Sequence, residues 1–319
     1  MYQSNALEVR AALCETNPAL RSGVQAALYA KGMRDLMVCK DGPALADALA
    51  KEIVDLVVCD VDLPGMDFGA WIQRIRQNAL GRNPFAVIIA TLGDPSLPAV
   101  RRAVSAGVDR VLRKPVSMDI LAEHVDALSH FRKPFVATDG YVGPSRRASP
   151  RAEDEDEPLV EVPNTLRSRM IGRCGPAELQ RLIDDGVGRV QEMKAQNTPL
   201  AVSRSIGRVL AFYEGKGTLD AVRCDLDRMV ALSHDVVRRH RGGELDHLAD
   251  LASSLVGLVM RISDDPIRPH RLHLNLLRKL GEVFRRAARS KVQSYAVMHE
   301  IAETVGRAVD VPPSGGVLH

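Results

Sequence analysis

Aromatic side chains are scarce in this 319-residue chain: Phe, Tyr and Trp together make up 4%, and Trp71 is the one tryptophan. A core short of rings must be packed with Ala, Leu and Val, a composition that suits helices. Cysteine is also sparse, with five residues at 14, 39, 59, 174 and 224. No CxxC pair or Cys/His cluster occurs, which excludes the spacing of a zinc site or a disulfide framework. Cys14, Cys39 and Cys59 sit in apolar runs, where a free thiol acts as a small buried hydrophobe. No apolar run reaches membrane-spanning length, so no membrane association is expected. The first residues, MYQSNALEVRAALCE, lack a basic stretch followed by a signal-type apolar core, and a cytoplasmic location is expected. Neither sign of charge dominates. Residues 1–130 carry 14 Lys+Arg against 15 Asp+Glu, and the remainder carries 29 against 25. Bulk charge therefore does not announce a nucleic-acid binder.

What is present is organisation. The length is comfortable for two domains. In the first part, short apolar runs at 9–14, 36–39, 56–59, 86–90 and 110–112 read as strands. Between them, amphipathic stretches at 19–31, 43–52, 68–78, 98–106 and 118–128 read as helices. Turn signals such as Asp41-Gly42, Pro64-Gly65 and Ala106-Gly107 punctuate the alternation. Five strands alternating with five helices predict an α/β unit with a doubly wound, five-stranded parallel sheet over residues 1–130. Ligands of such sheets bind where strand C-terminal ends meet at a topological switch point, which directs attention to Glu15 and Asp60.

Residues 131–164 change character. They are rich in Pro, Gly and Ser, with a basic clump (Arg146, Arg147, Arg151) followed by an acidic run at 153–157. Such a segment buries too little apolar area to order itself alone, and it is expected to be a linker. From 165 to 319 an all-α bundle is expected. Leu179, Leu182, Ile183, Val187, Val190 and Met193 follow one helical face, as do Leu219, Val222, Leu226, Met229 and Val230. Similar faces run through Leu245, Leu248, Leu251, Leu255 and Leu258, through Leu272, Leu276, Leu280, Val283 and Ala287, and through Val292, Tyr295, Ile301 and Val305.

Four segments carry a specific pattern. ALCETNPALR, DLVVCDVDLPGMD, IIAT and LRKP follow one another in the order and spacing of the receiver domain of two-component response regulators, and the first two-fifths of the chain resembles that family. The resemblance implies that Asp60 is the phosphoacceptor, taking a phosphoryl group from a sensor histidine kinase or a histidine phosphotransferase. A carboxylate oxygen can attack a phosphohistidine phosphorus and form an acyl phosphate. Two anions then meet, and Mg²⁺, which takes oxygen ligands, is the implied cofactor. Glu15, Asp60 and Asp62, the last through its backbone carbonyl, are the implied metal ligands. Lys114 and Thr91 are the implied phosphate contacts. Two positions depart from the family pattern. Thr16 stands where a second acidic residue is usual, and Val111 stands where an aromatic ring normally relays the switch. A further stretch, FVATDGYVGPSRR, resembles a tail found after receiver domains in some alphaproteobacterial regulators.

The helical half offers weaker signals. Ser233-His234-Asp235 faintly resembles the histidine box of sensor kinases, but no ATP-binding Gly-rich pattern follows, and no enzymatic activity is expected. Between 268 and 291 there are eight Lys+Arg against Glu282 alone, yet no helix-turn-helix signature accompanies them, and nucleic acid is not the expected partner. An apolar bundle suits a downstream protein partner or a homodimer. Two alternatives stay open: a degenerate receiver acting as a phosphorylation-independent dimerisation or scaffold module, and a DNA-binding transcriptional regulator.

Overall fold

The apolar runs of the first part become five parallel strands: β1 (Leu7–Cys14), β2 (Met33–Cys39), β3 (Leu56–Asp60), β4 (Val87–Leu92) and β5 (Arg110–Arg113). The computed structural model describes residues 7–94, 96–138, 140–146, 159–172, 174–243 and 246–289. Strand order is β2-β1-β3-β4-β5. β3 and β4 are buried at every position, as continuous apolar runs in a parallel sheet covered on both faces should be. The covering helices are α1 (Pro18–Ala30), α2 (Gly42–Lys51), α3 (Phe68–Arg76), α4 (Leu97–Ser105) and α5 (Met118–His130). Local chemistry starts three of them. Asn17, Asp41 and Asp67 each accept a hydrogen bond from a backbone N–H three residues on, so their side chains cap α1, α2 and α3. The expected α/β architecture is therefore the observed one, followed by a mostly helical region.

Residues 131–164, expected as a linker, instead carry a small antiparallel sheet. Its strands are β6 (Phe135–Thr138), β7 (Tyr141–Pro144) and β8 (Leu159–Val160), in the order β7-β6-β8. Phe135, Ala137, Val142 and Val160 are buried together with Ile53 and Phe85 of the preceding unit and with Leu179 and Ile183 further along. Taken alone the segment has too few apolar side chains to order itself as more than a linker, but non-local neighbours bury those it has. The short helix α6 (Thr165–Met170) follows and seats Leu166 in the same core layer as β1 and α5. Of the linker charges, Arg147, Arg151 and residues 153–157 lie outside the described residues.

An ionic cluster pins this extension to the N-terminal edge of the parallel sheet. Arg76 is fully buried and donates to the carbonyls of Gly107 (2.9 Å), Pro84 (2.8 Å) and Ala86 (2.7 Å) and to Asp109 (2.8 Å). Arg132 donates to both oxygens of Asp109, at 2.9 and 3.2 Å, and to the carbonyl of Phe85. The Phe135 ring takes both guanidiniums on its surface, at 5.2 Å from Arg76 and 4.7 Å from Arg132. Gly107, at φ +98°, makes room for this: a Cβ there would stand 2.9 Å from the carbonyl oxygen of Val142 on β7.

The chain divides into two units, Met1–Met193 and Lys194–His319. The long helix α7 (Pro176–Tyr213) runs through that division and continues past Pro199. In the second unit the last part of α7, α8 (Leu219–His240), α9 (Asp246–Asp264) and α10 (Arg271–Arg289) enclose a core that includes Ile206, Leu226, Met229, Leu255, Leu258, Leu280 and Phe284. α7 and α10 approach closely at Gly281, where a Cβ would stand 2.9 Å from Ile206. Most expected helical faces are buried, but Leu182 and Leu272 are exposed. Leu245 and the face at 292, 295, 301 and 305 lie outside the described residues.

Candidate phosphoacceptor site

Parallel strands bring all their C-terminal ends to one edge, and there the sheet order decides which side chains meet. Asp60 closes β3, and Thr91 on β4 is its register partner. Glu15 follows β1 and Lys114 follows β5, with a cis peptide bond between Lys114 and Pro115. Glu15, Asp60 and Thr91 are 2%, 4% and 1% exposed, so their polar atoms depend on one another rather than on water.

Lys114 lies between the two carboxylates. Its Nζ donates to Asp60 Oδ2 at 2.7 Å and to Glu15 Oε1 at 3.1 Å, and it stands 3.0 Å from Glu15 Oε2. Burial alone would push the Lys114 ammonium down, but its hydrogen bonds to Asp60 and Glu15 and their charges hold it above its ordinary value. The other oxygen of Asp60, Oδ1, accepts from the Asp62 backbone N–H at 3.2 Å. Asp62 is exposed, as is Thr16. Thr91 Oγ1 donates to Glu15 Oε2 at 3.1 Å and is 3.4 Å from the carbonyl of Cys59. Glu15 Oε1 also accepts from the backbone N–H of Asn17 at 2.9 Å, and Arg21 donates to the Glu15 carbonyl at 3.0 Å.

The fold thus gathers Glu15, Asp60, Thr91 and Lys114 into one buried network, while the side chain of Asp62 stays outside it. Val111 is half-buried on β5 beside the core. Sequence motifs do not reveal the Glu15–Thr91 bond, because its cause is strand order. The one signal for it is that position 15 holds Glu, with an extra methylene, rather than Asp.

Beneath the carboxylates lies a row of thiols. Cys14 is the register partner of Cys39 on one side and of Cys59 on the other, and all three enter the same core cluster. Burial pushes the Cys14 thiol up to about 12 and the Cys39 thiol up to about 11, and moves Cys59 in the same direction. They remain neutral thiols near pH 7, a small apolar floor as the sequence suggests.

Among the described residues no group of three or more His, Cys, Asp or Glu side chains is placed to hold a metal ion. The two carboxylates that do converge, Glu15 and Asp60, share one ammonium and are hard oxygen donors. That donor set fits Mg²⁺, which commonly binds one or two carboxylates and completes its shell with water and phosphate.

The family model described as the response regulator receiver domain matches residues 11–126. This segment is a receiver domain. Relatives of the receiver occur in proteins of different build. The sensor histidine kinase RcsC of Salmonella typhimurium is 34% identical over 83 residues, covering 26% of this chain and 8% of RcsC. The transcriptional activator protein PfeR of Pseudomonas aeruginosa is 33% identical over 122 residues, which is 37% of each chain. The matches therefore span well under two thirds of either relative. Among solved structures, a CheY-like response regulator receiver domain protein from Methanospirillum hungatei is 19% identical, covering 37% of this chain and 90% of that one with a TM-score of 0.34. Among the described residues no helix is long and apolar enough to cross a membrane.

Proposed function

We propose that the chain is a cytoplasmic, non-enzymatic response regulator that accepts a phosphoryl group on Asp60 and signals through its helical unit to a protein partner. The observation that carries this reading is the Lys114 ammonium held 2.7 Å from a buried Asp60 carboxylate at the C-terminal edge of a receiver sheet. An Asp60 oxygen attacks the phosphorus of a phosphohistidine on a sensor kinase or a histidine phosphotransferase. The new P–O bond forms as the P–N bond breaks, and the electron pair returns to the imidazole nitrogen. Lys114 keeps its proton throughout and offers its charge to a phosphoryl oxygen, and Thr91 offers its hydroxyl to another. Glu15, Asp60 and the backbone carbonyl of Asp62 would hold Mg²⁺. When bound, that ion supplies the neutralisation that lets two anions approach.

Incubation of the full chain with acetyl phosphate and Mg²⁺, followed by intact mass measurement, tests the reading. Wild type gains one phosphoryl group and Asp60→Asn gains none. An unmodified wild type, or an adduct that survives Asp60→Asn, overturns it. The first of those outcomes would favour a phosphorylation-independent module instead, a reading supported by the exposed Thr16 in place of a second acid.

A further inference from the structure

We propose that Glu15 is a latch: while Asp60 is unmodified, it holds the hydroxyl of Thr91, a donor that a phosphoryl group on Asp60 needs. The inference rests on the reading of Asp60 as phosphoacceptor and adds a built-in brake to it.

Sheet order makes the latch geometrically specific. Glu15 leaves β1, Thr91 sits on β4, and β3 runs between them. Neighbouring strands lie about 4.8 Å apart, so this bond must span two strand spacings, on the order of 10 Å, over the end of β3. Both side chains contribute to that reach, and it closes at 3.1 Å. An aspartate at position 15 is shorter by one C–C bond, about 1.5 Å, which takes the Thr91 hydroxyl out of hydrogen-bonding range.

The donors of Glu15 are of two kinds. The Asn17 backbone N–H is fixed by the turn that leads into α1. Lys114 and Thr91 are side chains: Lys114, just after β5, also donates to Asp60, and Thr91 on β4 is the register partner of Asp60. Lys114 has three protons and can serve two acceptors, as it does now. Thr91 has a single hydroxyl proton and must choose. Once phosphoryl oxygens stand at the end of β3, Thr91 can donate to them only by leaving Glu15 Oε2. That oxygen belongs to a buried carboxylate, so losing a donor is unfavourable and opposes the phosphorylated arrangement. Two mutually exclusive positions of one hydroxyl form a two-state element, and Glu15 sets its resting bias.

A double-mutant cycle on the full chain isolates the latch from anything else Glu15 does. The readout is the acetyl phosphate concentration that gives half-maximal adduct by intact mass in Mg²⁺, measured for wild type, Glu15→Asp, Thr91→Val and the double variant. Effects of Glu15→Asp through the metal or through Lys114 occur with and without Thr91 and cancel in the cycle. The latch predicts that the ratio of Glu15→Asp to its parent is about five- to tenfold more favourable to phosphorylation when Thr91 is present than in Thr91→Val. Equal ratios in the two backgrounds, with wild type phosphorylated, overturn the latch and leave the Asp60 reading standing. No adduct on wild type overturns the Asp60 reading and the latch with it.

Discussion

The two edges of the parallel sheet each bury a cluster of opposite charges, and the clusters differ in how completely they are closed. At the N-terminal edge, Asp109 receives Arg76 and Arg132, and most of the guanidinium protons not spent on it go to backbone carbonyls. The side chains of Arg76, Asp109 and Arg132 are 0%, 1% and 4% exposed. At the C-terminal edge a single ammonium serves two carboxylates, and the lysine that carries it reaches solvent. A sealed cluster has nowhere to send its donors. One cation shared between two acids can be redistributed when a third anion arrives. The same ion-pair chemistry acts as a rivet at one end and as an exchangeable site at the other, and the surplus of acceptors makes the difference.

Four measurements sharpen or break that contrast. The largest effect is expected at the closed edge: Asp109→Asn leaves two buried guanidiniums without a countercharge and should cost about 3–5 kcal/mol in a denaturant titration. A loss under 1 kcal/mol would mean that the cluster is not sealed. Phe135→Ala removes the ring beneath both guanidiniums and a buried side chain, and should cost about 3 kcal/mol by the same titration. At the open edge, Asp60→Asn keeps the shape of the site and should change stability by less than about 1 kcal/mol while abolishing the phosphoryl adduct. A cost as large as that of Asp109→Asn would erase the distinction between the edges.

The smallest effects separate the edges by pH. Burial disfavours the Asp109 carboxylate, but the charges of Arg132 and Arg76 outweigh it and hold the group below its ordinary value. Its contribution is therefore complete above the ordinary Asp value of about 3.9 and is lost as pH falls through the lower folded value. Lys114 is held above its ordinary value. Its contribution is complete below about 10.4 and is lost as pH rises past the folded value. Stability of wild type against pH should lose part of its acid limb in Asp109→Asn and part of its alkaline limb in Lys114→Met. Unchanged limbs in both variants would show that neither cluster governs the profile.

The open edge was largely legible in the sequence, and the closed edge was not. Asp60, Lys114 and Glu15 follow apolar runs at strand ends, and Thr91 closes another such run, so strand periodicity and motif order bring them to one rim. Arg76, Asp109 and Arg132 belong to three separate segments, one helical and two in connections, and a charged residue in either setting reads as a solvated one until its neighbours are known. The strands at Phe135–Thr138 and Tyr141–Pro144 have four residues each, too few to show a period among the surrounding Pro, Gly and Ser. The Glu15–Thr91 bond needs the order β1-β3-β4, which no local window contains. Pro199 would normally argue for a break, yet α7 runs through it.

The position of Arg132 bears on how this receiver could be transplanted. The receiver match ends at residue 126, and α5 ends at His130. A chimera joined at either point would carry Asp109 and Arg76 into its new host and leave behind the second guanidinium and the aromatic ring that lies against both. The graft would inherit every residue of the proposed phosphorylation chemistry and still begin life with an incomplete foundation. To move this receiver intact, the donor piece has to extend at least through Pro144, so that β6 and β7 travel with it.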